Sequence, residues 1–145
     1  MVAYSFQRQF VNPIRLGLRL EPLPAFPPAR APKLHTIRAI GKRRHARLGE
    51  MLQLYYGQRT KQCISIGTGR CTKNRIIRLY LKVDIVTWIE EDGGAPSIGN
   101  AVALDAFAVT DGFADWVELK KFWREQYPAV DVFNGRMIEW EGLAS

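Results

Sequence analysis

Lys33, Thr36 and Arg38 fall within six residues of one another, and a lysine beside a hydroxyl is one way of activating that hydroxyl. The amine takes the hydroxyl proton once burial or a nearby cation has lowered its pKa. The planar fork of an arginine grips a phosphate or a carboxylate. In an extended segment Thr36 and Arg38 share a face, and Lys33 falls on the other unless a bulge or turn re-aims it. In a helical turn Lys33 and Thr36 become neighbours. A solvated lysine, a strand threonine and a surface ion pair would use the same three residues, and spacing alone favours that plainer reading. Asp111-Gly112-Phe113 is the second candidate. Asp-Gly is a turn signal, so Asp111 serves as a turn or cap residue. Alternatively it is a carboxylate aimed into a cleft, where it relays protons or binds the exocyclic amine of a base.

A third set is Arg38, Lys42, Arg43, Arg44, Arg47, Tyr55, Tyr56, Arg59 and Lys61. Clustered cations bind phosphates, and aromatic faces stack on unpaired bases. A solvated face with core tyrosines is the alternative, and one of the adjacent tyrosines must point inward if they lie on a strand. The net charge of +7 is distributed unevenly. Residues 1–78 carry 16 Lys and Arg against Glu21 and Glu50, a balance of +14; residues 79–145 carry 5 against 12 acids, a balance of −7. Either the halves attract one another in the fold, or the first half docks an anionic partner. The excess of basic charge favours the partner.

Other chemistries find little footing. Gly67-Thr68-Gly69-Arg70 lacks the Lys-Ser/Thr of a phosphate-binding loop. No Ser–His–Asp order and no supported Cys–His dyad occurs. Cys63 and Cys71 read as free thiols that face each other across a hairpin, and with only His35 and His45 beside them zinc spacing is absent. Nothing calls for a metal or other cofactor. No apolar run approaches the ~20 residues of a membrane helix, and the first residues lack the pattern of a signal peptide. The expectation is a cytoplasmic protein without membrane contact.

These residues need a scaffold, and 145 residues at 47% hydrophobic content suffice for one domain with its own core. Residues 5–20 form a structured entry of ambiguous phase. Residues 21–32 hold five prolines, which forbid a helix or central strand and predict a stiff loop. Gly41 to Gly49 encloses a basic turn or short helix. Glu50–Tyr56, Cys63–Ile66 and Ile76–Ile89 read as strands, the last breaking into two. A short helix is expected over Asn100–Ala108. Asp115-Trp116-Val117-Glu118 resembles a capping box opening a helix to about Tyr127, with Trp116, Leu119 and Trp123 on one face and Pro128 ending it. Met137–Trp140 closes the chain as a strand. The fold class is α+β, a small curled antiparallel barrel with flanking helices.

Phe10…Ile14…Gly17, then Lys33-x-x-Thr36-Ile37-Arg38, Gly49-Glu50-x-Leu52-x-Leu54-Tyr55, and Ala108-x-x-Asp111-Gly112-Phe113 with Glu118-Leu119-x-x-Phe122-Trp123 resemble the ASCH domain, and within it the versions common in phage genomes. The likeness spans nearly the whole chain. It implies a PUA-like β-barrel with flanking helices and a cleft, in a family for which RNA binding has been inferred. Some small members are amidohydrolases on acetylated cytidine, and nuclease activity is claimed for others. In the amidohydrolase-like members a Lys and a Thr work with an acid before the late helix. Lys33 and Thr36 match the first two; Asp111 matches the third, where Glu is usual and one methylene longer. The Pro-rich stretch 21–32 departs from the tight connection usual there.

The resemblance and the charge together imply an RNA- or modified-nucleoside-binding protein with a basic cleft. Its rivals are an amidohydrolase on acylated cytidine-type nucleosides and a non-catalytic phage or prophage accessory protein. In the catalytic case Thr36 attacks or positions water, Lys33 takes the proton, and Asp111 orients the base or returns a proton. That mechanism needs Asp111 on the substrate side, apart from Lys33.

Overall fold

A computed structural model describes residues 1–143, and its architecture follows from one long strand. The run Ile64–Tyr80 is continuous and forms β4. Gly67 and Gly69, expected to turn a hairpin, lie inside it instead. Added Cβ atoms would come within 2.7 Å of the Leu18 side chain at Gly67 and 3.0 Å of the Glu141 carbonyl at Gly69. These glycines thus serve close packing rather than a reversal. Cys63 is exposed, Cys71 is buried, and both are free thiols.

Around β4 the other strands assemble in register. Its first half pairs antiparallel with β3 (Met51–Tyr56), whose buried Leu52 and Leu54 alternate with half-buried residues. Its second half pairs on the same edge with β5 (Ile85–Trp88), which leads to the short β6 (Ser97–Ile98). The other edge pairs from Gly69 to Tyr80 with β7 (Val132–Gly142), and β7 pairs with β2 (His35–Ala39). The one parallel pair is β1 (Val2–Phe6) with β3, so the sheet is mixed rather than wholly antiparallel. Register shifts at Leu54/Tyr55 and Cys71/Lys73 mark bulges, which sharpen the right-handed twist and curl the sheet. The result is a seven-stranded curled half-barrel. Its open seam lies between β1 and β2, which do not pair.

Three helices flank it. Val11–Gly17 is α1, after a 3-10 turn at Arg8–Phe10. Ala101–Thr110 is α2, capped by the Asn100 side chain accepting from the Ala103 N–H at 2.8 Å. Trp116–Gln126 is α3. The Asp115 carboxylate caps it by accepting from the Glu118 N–H at 2.9 Å, while Glu118 reaches back to the Ala114 N–H. Trp116, Leu119 and Trp123 are buried on its inner face, and Trp123 stacks on Phe133 of β7 with centroids 4.2 Å apart.

The Pro-rich stretch 21–32 is irregular but anchored. Asn12 of α1 is 2% exposed. Its amide donates to the carbonyls of Leu23, Phe26 and Pro27, and its oxygen accepts from the Leu23 N–H. Phe26 is thereby pressed edge-on against Tyr56. Among the described residues, no helix is long and apolar enough to cross a membrane.

Candidate functional site: a cleft at the barrel seam

The backbone at Lys33 is clamped before β2 begins. Its N–H donates to the Pro13 carbonyl of α1 at 2.8 Å, and the Leu34 N–H donates to the Thr110 carbonyl at the end of α2 at 2.9 Å. Gly17 permits this docking, because a Cβ there would stand 2.4 Å from the Lys33 carbonyl oxygen. Strand alternation therefore does not govern Lys33, and it reaches the same cleft as Thr36 and Arg38.

That cleft has a volume of about 910 Å³ and occupies the seam between β1 and β2. Lys33, Thr36, Arg38 and Asp111 all line it, with the aromatic side chains of Tyr4, Phe6, Phe10, Phe122, Trp123 and Tyr127. Asp111 follows α2 as its C-cap residue, and Gly112 beyond it has φ +99°. A Cβ at Gly112 would meet Phe10 Cδ1 at 2.8 Å and Lys33 Cδ at 3.0 Å, so the turn packs tightly under the amine.

Lys33 and Asp111 are buried and in contact. Lys33 Nζ donates to Asp111 Oδ1 at 3.1 Å and also to the Asp111 carbonyl. The ammonium lies over the Phe10 ring, 4.7 Å from its centroid, a cation–π arrangement. Burial lowers the Lys33 pKa against the pull of Asp111. Burial also pushes the Asp111 carboxyl up to about 6, with Lys33 and Arg38 opposing. The negative end of α2 acts in the same upward direction. The catalytic arrangement read from the sequence is therefore corrected in one respect. Asp111 is the partner of Lys33 rather than a separate group on the substrate side, because a buried cation is held by the nearest buried carboxylate.

Thr36 is oriented by Arg38, whose Nε donates to Thr36 Oγ1 at 3.0 Å. No hydrogen bond joins Lys33 to Thr36. Arg38 also bridges the seam, its Nη2 donating to the Ser5 carbonyl of β1 at 2.7 Å, with its guanidinium 4.7 Å from the Phe6 ring centroid. Burial lowers the Arg38 pKa, which Tyr4 and Asp111 offset. Among the described residues, Nη1 of Arg38 makes no hydrogen bond and the Thr36 hydroxyl donates to none.

The cationic set divides. Arg43, Arg44 and Arg59 line the cleft with Arg38. Lys42, Arg47 and Lys61 are exposed and stand away from it. Arg44 forms a two-pronged pair with Glu50 at 2.7 and 2.6 Å, so its charge is largely answered. Tyr56 does not line the cleft, and its ring packs edge-on with Phe26. Sequence reasoning passed over Tyr4 and His45. The His45 Nε2 faces the Ala39 carbonyl at 2.9 Å and must donate, while Nδ1 is hydrogen-bonded to the Tyr4 hydroxyl at 3.0 Å. The two rings stack with centroids 5.9 Å apart, fixing the loop that carries Arg43. An aromatic residue alternating into β1 was the available signal; nothing in the spacing tied it to His45.

Among the described residues, no group of three or more His, Cys, Asp or Glu is placed to hold a metal. No family model, curated protein or solved structure matches the chain.

Proposed function

We propose that the seam cleft binds a nucleoside unit of single-stranded RNA, or a free modified nucleoside, as the resemblance to ASCH domains implies. The observation that carries this reading is the convergence of Lys33, Thr36, Arg38 and Asp111 on one aromatic-walled cleft with Arg43 and Arg59 in its lining. The floor offers donors: the Thr36 hydroxyl and Arg38 Nη1, while the carboxylate of Asp111 is taken by Lys33. In the wall stands Trp123, whose buried indole N–H has no partner. Such a floor suits carbonyl or phosphate oxygens, and the aromatic walls suit a planar base.

Charge supports the same reading. Among the described residues, only Lys33 and Arg75 of the first half's Lys and Arg pair with acids of the second half. Attraction between the halves therefore leaves Arg43 and Arg59 without a carboxylate among the described residues. Binding is favoured over amide hydrolysis because Thr36 is held by Arg38 and Lys33 by Asp111, so no base addresses the hydroxyl.

The test is anisotropy of a labelled oligoribonucleotide titrated at several salt concentrations. Two to three phosphate contacts predict log Kd changing with log salt at a slope of about 2. Arg43→Glu and Arg59→Glu should weaken binding across all sequences, whereas Arg44→Glu should do less. No binding of oligoribonucleotide or acylated cytidine at low salt refutes the reading.

A further inference from the structure

Behind the cleft, on the opposite face of β2, lies a second cavity of about 180 Å³. His35 lines it, with Arg75, Trp88, Phe107, Thr110 and Glu139. Strand alternation puts His35 there, since its neighbour Thr36 faces the cleft. The side chain of His35 is 5% exposed, and its ring stacks on Phe107 of α2 with centroids 5.4 Å apart.

One carboxylate oxygen connects the two cavities. Asp111 Oδ1 lies 3.1 Å from Lys33 Nζ and 3.3 Å from His35 Nε2. The lysine makes a hydrogen bond to it; the imidazole edge is not aligned to do so, and Nε2 is buried without a partner. Nδ1 makes no hydrogen bond within the described residues.

We propose that His35 is a proton relay joining the Lys33–Asp111 pair of the cleft to the second cavity. The pair can then lose or gain a proton from behind while a ligand fills the cleft in front. The step balances with one proton. A rotation of the imidazole first brings Nε2 into line with Oδ1; neutral Asp111 then gives its carboxyl proton to Nε2, and the imidazole releases the Nδ1 proton to water in the second cavity. The carboxylate that results then accepts from the new Nε2–H. His35 is neutral at both ends of the step and changes only its tautomer.

The surroundings keep it so. Lys33 and Asp111 face His35 from one side. Arg75 of β4 stands on the cavity side, bonded to Glu90 and Glu139, and Glu139 of β7 is directly across the strand pair from His35. Burial, Lys33 and Arg75 together hold the imidazole well below its usual pKa, so the charged form does not compete. The inference does not depend on which ligand the cleft takes. His35 is a positioning residue here, touching no reacting atom of a ligand.

Long-range ¹H–¹⁵N NMR of the imidazoles in the full chain, followed from pH 5 to 8, tests it. His35 should pass from the Nδ1–H to the Nε2–H tautomer in step with Asp111 titration, read by ¹³C carboxyl shifts, without becoming imidazolium. In Asp111→Asn the tautomer should not move with pH. His35→Phe should slow hydrogen exchange of the Lys33 ammonium at least tenfold. A single tautomer throughout, an imidazolium above pH 6, or unchanged exchange in His35→Phe would overturn the relay, leaving the binding reading intact.

Discussion

Lys33→Met should destabilise the protein by an amount that depends on pH. The substitution removes the cation from a buried pair whose members are 3% exposed and keeps most of the side-chain volume. At pH 8 it leaves a buried carboxylate without its closest counter-charge, which costs about 3–5 kcal/mol. At pH 5 Asp111 is mostly protonated even in the wild type, because burial has raised its pKa to about 6. The loss there reduces to hydrogen bonds, about 1 kcal/mol. Between these limits the cost should grow by up to ~1.4 kcal/mol per pH unit. Asp111→Asn, which strands the lysine instead, should cost about 3 kcal/mol at pH 7. The double variant should return to within about 1 kcal/mol of wild type, since neither member of the pair is then left as an unpaired buried charge. Urea unfolding followed by tryptophan fluorescence reports this, with Trp116, Trp123 and Trp140 all buried. A Lys33→Met cost that is equal at pH 5 and 8, or a double variant as unstable as the sum of the singles, would refute the reasoning.

The wild-type protein should also show the sign of the Asp111 shift. Its folded pKa lies above its unfolded value of 3.8, so the folded state binds the proton more tightly. That contribution is full below pH ~4 and is lost as pH rises through about 6, roughly 3 kcal/mol in all; in the double variant this part of the stability profile should be flat. Asn12→Ala should cost about 2–3 kcal/mol by leaving backbone groups of residues 23–27 unpaired, and limited proteolysis should then cut within 21–32. Gly112→Ala should cost at least ~2 kcal/mol, because φ +99° and a contact of 2.8 Å to Phe10 both oppose a methyl group; thermal unfolding measures it.

How far the sequence could be read depended on the range of the interactions. The α3 helix with its Asp115 cap was legible because capping and amphipathic spacing are local. The division of Ile76–Ile89 into two strands was legible for the same reason. Gly67 and Gly69 were misread as a hairpin because a glycine's local signature is the same whether it frees a turn or admits Leu18 from α1. The four residues of the cleft floor could be picked out by type, but their meeting could not. Lys33 and Asp111 are 78 positions apart, and Lys33 enters the cleft only through carbonyls of Pro13 and Thr110. Asn12 and His35 carried no signal, since a lone buried amide or imidazole acquires its role from partners that spacing does not reveal.

The seam between β1 and β2 is proposed as the ligand site. Backbone and side-chain chemical-shift mapping during titration with a short single-stranded oligoribonucleotide tests it most directly. Saturable shifts should concentrate on Tyr4, Phe6, Thr36, Arg38, Arg43 and Trp123, and Thr36→Val combined with Arg38→Met should abolish them in a protein that stays folded. Shifts scattered over Lys42, Arg47, Lys61 and Arg70 with the cleft unmoved would contradict it.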